Sequence, residues 1–535
     1  MSDPVPPPRP QRRKLLLWSL LLVLLLTLPY LVAWLSAPGG MVFIGPLFNL
    51  DDMNVYVSAM RQGAQGNWLY HFPYSPEPWQ PRLMLLLYLL LGKVTALVAT
   101  PTVFWLHFWR VVLSFVTIWA LHVWLRALFP QQRQWRRTGF VLLLFGNGVG
   151  WLAIHFITTE SRLFPDLGLP EWGPLSALLN TPHFALGYGL LTLTFLCLLR
   201  VERSATPRET LRWTALAILV ANLSGLVYVY HLAVMGLVAG LFFLWLLVRR
   251  RSWRSALPPL LVALSLAPLL AYYVWGGGDD PYWLRYTQQD HVIPPPPPAG
   301  VLIGFGLLGP LALAGARWWR RQGLTALVPI WALAQLATLY VPGIGYSRRF
   351  VLGMFVPVAT MATAGLEGVM VPRLARLNRP AFSIAAWRWL TIFLLLPSTV
   401  IVYLALLKGP QIQRGLPYYL PEADVQAARW LGEVAGESTL TMVYFPLGNY
   451  LPAVYPGKVF MGQPDFTTDL EGKLRLFERF WSGALSPAQQ RAFLDEWQID
   501  YLFVGTYEAP HLKAAPPPNA KLVYDEGGVA IYAVR

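Results

Sequence analysis

The sequence predicts a polytopic α-helical membrane protein with about eleven transmembrane helices and a small C-terminal α/β domain. Three observations predict it. Of 535 residues, 55% are hydrophobic and only 13% charged, with a mean hydropathy of +0.45. Soluble proteins of this size carry about 25% charged residues. Apolar runs recur near 15–35, 102–126, 138–156, 184–200, 214–229, 232–248, 256–275, 299–316, 323–342, 350–371 and 389–407, and a span needs roughly 20 apolar residues. The formal net charge of +15 is also unevenly placed: from Lys408 onward 11 basic residues face 14 acidic ones, a balance of −3, which leaves +18 (31 basic, 13 acidic) on the first 407.

The first run, from Leu15 to Trp34, is too long and too rich in Trp for a secretory signal, and no small-residue cleavage site follows it. It reads as a retained helix. Arg12, Arg13 and Lys14 put residues 1–14 in the cytoplasm as a short tail. RQWRR (133–137), Arg200 to Arg212, RRRSWR (249–254), RWWRR (317–321) and Arg373 to Arg388 then fall on that same side, as the positive-inside rule requires. Asp51, Asp52, Glu160, Asp166, Glu171, Asp279, Asp280 and Asp290 fall on the other. The apolar segment 82–98 would reverse every later loop if it crossed, so it reads as a juxtamembrane helix inside a first outer loop, 36–101, with Lys93 snorkelling to the interface. Residues 15–407 form the membrane domain. The odd number of crossings places 408–535 outside the cytoplasm, in a plasma-membrane protein.

After Leu407 the character changes. PEADVQAARWLGEVAG reads as an amphipathic helix with acidic residues in its first turn, and STLTMVYF as a strand. KLRLFERFWSGALSPAQQRAFLDEWQ reads as two helices joined at Ser482–Gly483. IDYLFVG reads as a buried strand, and KLVYDEGGVAIYAV as a hairpin turning at Glu526–Gly527–Gly528. The run Pro294–Pro298 reads as a stiff spacer.

Several chemistries are excluded or unsupported. The single cysteine, Cys197, lies in an apolar run and rules out a disulfide or thiolate metal site within one chain. No P-loop, dinucleotide fingerprint, zinc motif or nucleophile elbow stands in a suitable context. The basic charge lies in short loops between spans, not on a soluble module, which argues against nucleic acid. No cofactor is indicated; Asp279, Asp280, Asp290 and His291 have no diagnostic metal spacing and read as solvated loop charge.

Four groups of residues could carry chemistry. Asp51 and Asp52 sit just past the first span. Carboxylates at a membrane boundary are costly to keep, and one could act as a general base toward an acceptor hydroxyl. The other reading is a helix N-cap before Met53 to Arg61. Adjacent residues on a helical turn diverge, so at most one faces a reaction. Arg348 and Arg349, preceded by Tyr346, lie in an outer loop and break the positive-inside bias. They read as a phosphate clamp, with lipid headgroup contact as the alternative. His183, at the start of a span beside Asn180 and Pro182, reads equally as a substrate contact or an interface residue. Arg110, with His107, lies within the second span and needs a partner, either a donor phosphate or an outer-loop carboxylate. Tyr228, Tyr230 and His231 read as an interface belt.

Three stretches carry a resemblance. These are the acidic pair in DDMNVYVSAMRQGAQGNWLY, the interfacial helix in PWQPRLMLLLYLLLGKV, and the late YSRRFVLGMFVPVATMATAGL. Together they resemble the membrane glycosyltransferases of the GT-C superfamily, in particular the branch of protein mannosyltransferase-like and lipid A aminoarabinose transferase-like enzymes. The resemblance covers about residues 15–407. It implies a GT-C-like membrane domain, a polyprenyl-phosphate sugar donor, a glycan, lipid or protein acceptor, and inverting transfer on the outer face amid membrane lipids. It maps the catalytic carboxylate onto Asp51. Position 52, often Glu in the family, is Asp here, so the choice between Asp51 and Asp52 stays open, with Asp51 preferred. Donor-phosphate contacts map onto Arg348 or Arg349, with Tyr346, His183 and Arg110 as further substrate-binding candidates. A lipid-linked sugar transporter and a non-catalytic envelope assembly protein are the competing readings.

Overall fold

A computed structural model of the chain describes residues 9–49, 51–100, 102–156, 163–287, 293–377 and 381–534. Helices occupy all eleven apolar stretches. Among the described residues, seven are long and apolar enough to cross a membrane, and up to nine if two bent pairs each count as one: Pro298–Phe305 with Leu308–Arg321, bent by 82°, and Ser383–Leu395 with Pro397–Ile412, bent by 43°. The protein is a multi-pass membrane protein. The other two stretches are short. Within 138–156, helix α5 (Arg133–Phe145) has 13 residues, and Leu327–Thr338 has 12. At 1.5 Å per residue these reach about 20 Å, against roughly 30 Å of hydrocarbon. An apolar helix can be buried among other helices without spanning.

Helix α1 (Arg9–Leu35) contains Pro29. Proline has no N–H to give the carbonyl four residues back. The freed Leu25 carbonyl accepts from the Tyr403 hydroxyl at 2.9 Å. The next carbonyl, Leu26, accepts from Arg110 Nη2 at 2.9 Å; Arg110 lies on α4 (Val103–Leu128).

Between α1 and α4 the chain folds into two short helices, α2 (Met53–Ala64) and α3 (Leu86–Thr95). Their backbones touch. A Cβ on Gly63 would lie 2.0 Å from the Leu89 carbonyl oxygen, and one on Gly92 would lie 1.9 Å from that of Met60. Only glycine permits this approach. It sets Tyr56 of α2 flat against Tyr88 of α3, with ring centroids 4.5 Å apart.

The C-terminal segment returns to this first loop. Strand β1 (Met41–Phe43) pairs antiparallel with β2 (Tyr419–Pro421). A five-stranded sheet then forms from β3 (Leu440–Met442), β4 (Lys458–Val459), β5 (Tyr501–Val504), β6 (Lys521–Glu526) and β7 (Val529–Ala533), in the order β4-β3-β5-β7-β6. Strands β3, β4 and β5 run parallel, and β7 pairs antiparallel with both β5 and β6. The β6–β7 turn sits at Gly527 and Gly528, with φ of 60° and 82°, angles that glycine adopts without strain. Helices Glu422–Val434, Leu470–Trp481 and Pro487–Trp497 accompany the sheet, and a Ser486–Gln489 capping box starts the last.

One hydrophobic core joins the first loop to the C-terminal segment, running from Met53, Tyr70 and Trp79 to Leu420, Leu447 and Phe503. Phe466 stacks or edges against Tyr70, Phe72, Tyr74, Trp79 and Tyr286. Lys473, buried, meets Glu77 Oε1 at 2.7 Å and Ser75 Oγ at 2.8 Å. Burial pulls the Lys473 ammonium down to about 8 despite that carboxylate.

Two outcomes follow. Gly92→Ala should lower the unfolding midpoint in detergent. Helix propensity alone predicts a gain of about 1 kcal/mol, so a rise in the midpoint would contradict the backbone contact. Glu508 is fully buried, accepting from the Tyr444 N–H at 2.7 Å and the Gly505 N–H at 3.0 Å. Burial pushes its carboxyl up to about 8. The folded chain therefore keeps a proton that the unfolded chain loses at ordinary glutamate values, and stability falls as pH rises through that window to about 8. Glu508→Gln should flatten this fall, measured as unfolding midpoint against pH.

Candidate functional site

The first loop, the turn before the late span and the C-terminal segment meet at one end of the bundle around a cavity of about 140 Å³. Its walls include Asp52, Tyr56, Tyr88, His183, Tyr228, Tyr230, Tyr286, Arg349, Asp465 and Phe466. They come from seven separate stretches of the chain, and the lining mixes aromatic rings with a few charged groups, the usual composition of a small-ligand site.

Asp52 stands at the N-cap position of α2, but its side chain makes no capping bond. Instead Oδ1 accepts from Gln463 Nε2 at 3.2 Å. Asp51 is exposed and does not line the cavity. The sequence reading prefers Asp51; the structure brings Asp52 to the cavity. Consecutive side chains around a helix start diverge by about 100°, so one of the pair faces inward and the other away. Although Asp51 is solvent-accessible, desolvation by the protein around it, and secondarily the charge of Asp465, raise its carboxyl above the usual carboxylate range.

Arg349 reaches the cavity from a 3-10 turn, Ser347–Val351, at the start of the span Ser347–Arg376. Buried side chains hold the unwound backbone there. The Tyr228 hydroxyl donates to the Arg349 carbonyl at 2.8 Å. Gln335 Nε2 donates to the carbonyls of Phe350 and Leu352 at 2.7 and 2.8 Å. The guanidinium is paired by Glu171, with Nη1 2.8 Å from Oε1. Glu171 is 1% exposed and Arg349 14%, so this carboxylate is not the solvated loop charge its position suggests. Arg348 does not line the cavity, and its buried Nε has no hydrogen-bond partner among the described residues.

His183 lines the cavity between Tyr88 and Thr181, its Nδ1 2.5 Å from the Tyr88 hydroxyl and 3.0 Å from Thr181 Oγ1. Tyr346 is not in the lining but packs its ring 5.4 Å from that of Tyr230. Tyr228 and Tyr230 line the cavity, whereas His231 is buried between Ser224 Oγ and the Leu352 carbonyl.

Arg110 is not brought to this cavity. It is fully buried, and its Nη1 donates to the Leu178 carbonyl at 3.0 Å while Nη2 takes Leu26. Its guanidinium lies 4.3 Å from the Tyr30 ring centroid. His107 Nε2 donates to the Gly45 carbonyl oxygen, 3.0 Å away. Asp280 accepts from the Tyr282 and Trp283 N–H groups and pairs with Arg82 at 3.2 Å. Asp166 accepts from Gly150 N at 2.8 Å and Ser398 Oγ at 2.6 Å. Asn180 is fully buried. Glu160, Asp290 and His291 lie outside the described residues.

Sequence reasoning misses Asp465 and Phe466, which line the cavity from the C-terminal side, and Gln463, which donates to Asp52. Their only local signal is a short polar, Pro-containing loop, GQPDFTTD, between β4 and the next helix. Tyr56, Tyr88 and Tyr286 are missed as well; each looks like one more interfacial aromatic.

No protein-family model and no curated protein matches the sequence. Solved structures do. The chain superposes on the Archaeoglobus fulgidus oligosaccharyltransferase tethered with an acceptor peptide at a TM-score of 0.51 and 12% identity, covering 97% of this chain and 74% of that one. A mutant of the arabinofuranosyltransferase AftD from Mycobacteria gives 0.54 at 15% identity, with 98% of this chain on 41% of that longer one. ArnT from Cupriavidus metallidurans in the apo state aligns over 96% and 97% of the two chains at 14% identity and a TM-score of 0.49.

If Arg110 serves carbonyls and not a ligand, Arg110→Met should cost about 2–4 kcal/mol of stability, read as a lowered unfolding midpoint. An unchanged midpoint would contradict that role. At these identities the likeness is one of fold, and the chain carries the fold of the GT-C superfamily of membrane glycosyltransferases.

Proposed function

We propose that this protein transfers a sugar from a polyprenyl-phosphate-linked donor to an acceptor hydroxyl on the extracytoplasmic face, with inversion at the anomeric carbon. The observation that carries the reading is the meeting of the Asp52 carboxylate and the Arg349 guanidinium on one aromatic-walled cavity. One group suits the proton, the other the leaving phosphate. The GT-C fold, held in common with an oligosaccharyltransferase and an arabinofuranosyltransferase, supports the reaction class.

In this reading the acceptor oxygen attacks the anomeric carbon from the side of Asp52, which takes its proton. The bond from that carbon to the donor phosphate breaks, and its electron pair leaves with the polyprenyl phosphate. Arg349 holds that phosphate and stabilises its growing charge. Glu171 fixes the guanidinium in advance, so little reorganisation is needed when charge develops. Arg348 stands next to it as a second cation. Tyr56, Tyr88 and His183 form the wall against which the sugar rests. Tyr346 supports Tyr230.

Orientation follows from charge. The Trp135 and Trp318 rings lie 5.1 Å apart, Arg203 Nη1 donates to the Ala127 carbonyl at 2.6 Å, and Arg250 Nη2 donates to the Glu202 carbonyl at 2.5 Å. These contacts gather the basic turns at one end of the bundle, at the far end of α4 from the His107–Gly45 contact near the cavity. Under the positive-inside rule that basic end is cytoplasmic. The cavity and residues 408–535 then face outward, with residues 1–14 inside, in the cell membrane. Residues 15–407 form the transferase domain, and 408–535 cover its outer loop.

Asp52→Asn should lower turnover of a polyprenyl-phosphate sugar by about 10²–10⁴ while the donor still binds. Asp51→Asn should retain most activity. Full activity of Asp52→Asn, with loss in Asp51→Asn, would move the base to Asp51.

A further inference from the structure

A second opening lies on the membrane face, away from Asp52. It runs between α1 and the α4–α5 pair, holds about 680 Å³, and is walled by apolar side chains including Leu22, Phe115 and Phe140. At one end its lining turns basic: Arg133, Arg136 and Arg137, from the first turns of α5, stand with His122 of α4. Among the described residues no Asp or Glu lines it.

The three arginines are not equivalent. Arg136 Nη1 donates to the Phe129 and Pro130 carbonyls at 2.8 and 2.6 Å, and so closes the C-terminal end of α4. Arg133 and Arg137 are exposed, carry no ion pair among the described residues, and stand four positions apart on one helix face. The positive end of the α5 dipole adds to their field. Trp18, 68% exposed, lines the same opening. Trp and Arg together mark the headgroup depth of a bilayer.

We propose that this groove binds an anionic two-chain phospholipid, with its acyl chains along the apolar walls and its phosphate between Arg133 and Arg137. A wholly apolar groove would take any lipid. Two unpaired guanidinium groups at its mouth select a negative headgroup, because a zwitterionic one brings its own cation. The site is independent of the proposed transfer reaction. Its α4 lining runs from Phe115 to His122, whereas the Asp52 cavity lies toward the end of α4 that carries His107; His122, at the basic end of the groove, is about 22 Å of helix from His107 at 1.5 Å per residue.

The test is native mass spectrometry of the full-length protein from detergent micelles, titrated with dioleoyl phosphatidylglycerol, dioleoyl phosphatidylcholine or undecaprenyl phosphate. Wild type should retain phosphatidylglycerol in preference to phosphatidylcholine. The double variant Arg133→Gln, Arg137→Gln should bind phosphatidylglycerol about 30-fold more weakly, since each arginine near an anionic surface contributes roughly a factor of five, and should bind phosphatidylcholine as before. Ser19→Trp, which fills the groove without changing charge, should also weaken phosphatidylglycerol binding. Equal retention of the two phospholipids by wild type, or unchanged retention by either variant, would overturn the site. Displacement of phosphatidylglycerol by equimolar undecaprenyl phosphate would overturn the choice of occupant.

Discussion

The buried ion pair of Arg349 with Glu171 is the constraint around which the site is arranged. An arginine at the start of an apolar helix is tolerable only if its charge is compensated. Glu171, 178 positions earlier in the chain, supplies the carboxylate at 2.8 Å. The pair joins the loop before His183 to the turn before the late span, and it aims the rest of the guanidinium at the cavity. A buried pair of this kind contributes little net stability. Its value is geometric: a preorganised cation beside an open space, with the Tyr228 hydroxyl and the Gln335 amide holding the backbone that carries it.

The opposite wall depends on a different device. The first loop has no core of its own; its buried residues share one with the C-terminal segment. Glycine contacts between α2 and α3 stack Tyr56 on Tyr88, and the C-terminal segment covers them through Phe466, Lys473 and the β1–β2 pair. Covering the loop fixes Asp52, and it also brings Asp465 to the cavity rim. The Asp52 wall and its cover thus share one core, so their stabilities are coupled. A substitution in the C-terminal segment acts on the site without touching a ligand.

Much of the fold was legible in the sequence, because the periodicity and length of apolar runs report burial directly. All eleven runs are helical, and the segment 82–98, read as interfacial, contains the short helix Leu86–Thr95. Counting runs does not report helix length: the run 323–342 holds the helix Leu327–Thr338, of only 12 residues. Strands β3, β5 and the β6–β7 hairpin were legible from alternation and from Gly527–Gly528. The site was legible only in part. Asp52, Arg349 and His183 stood out because charge or imidazole at a membrane edge is costly. Glu171 looked like loop charge, since its partner is far away in sequence. Gln463 meets Asp52 across 411 positions, and Asp465 and Phe466 share its cavity; no local pattern records such contacts. The choice between two adjacent aspartates turns on side-chain direction, which composition does not encode.

The central claim is that Asp52 and Arg349 address one substrate. Cryo-electron microscopy of the full-length protein in lipid nanodiscs, bound to a polyprenyl-phosphate sugar, tests it most directly. The account predicts the donor phosphate within hydrogen-bond distance of the Arg349 guanidinium and the sugar against Tyr56 and Tyr88, with Asp52 facing the anomeric carbon. A donor phosphate seated where neither Arg349 nor Asp52 lines the pocket would contradict it.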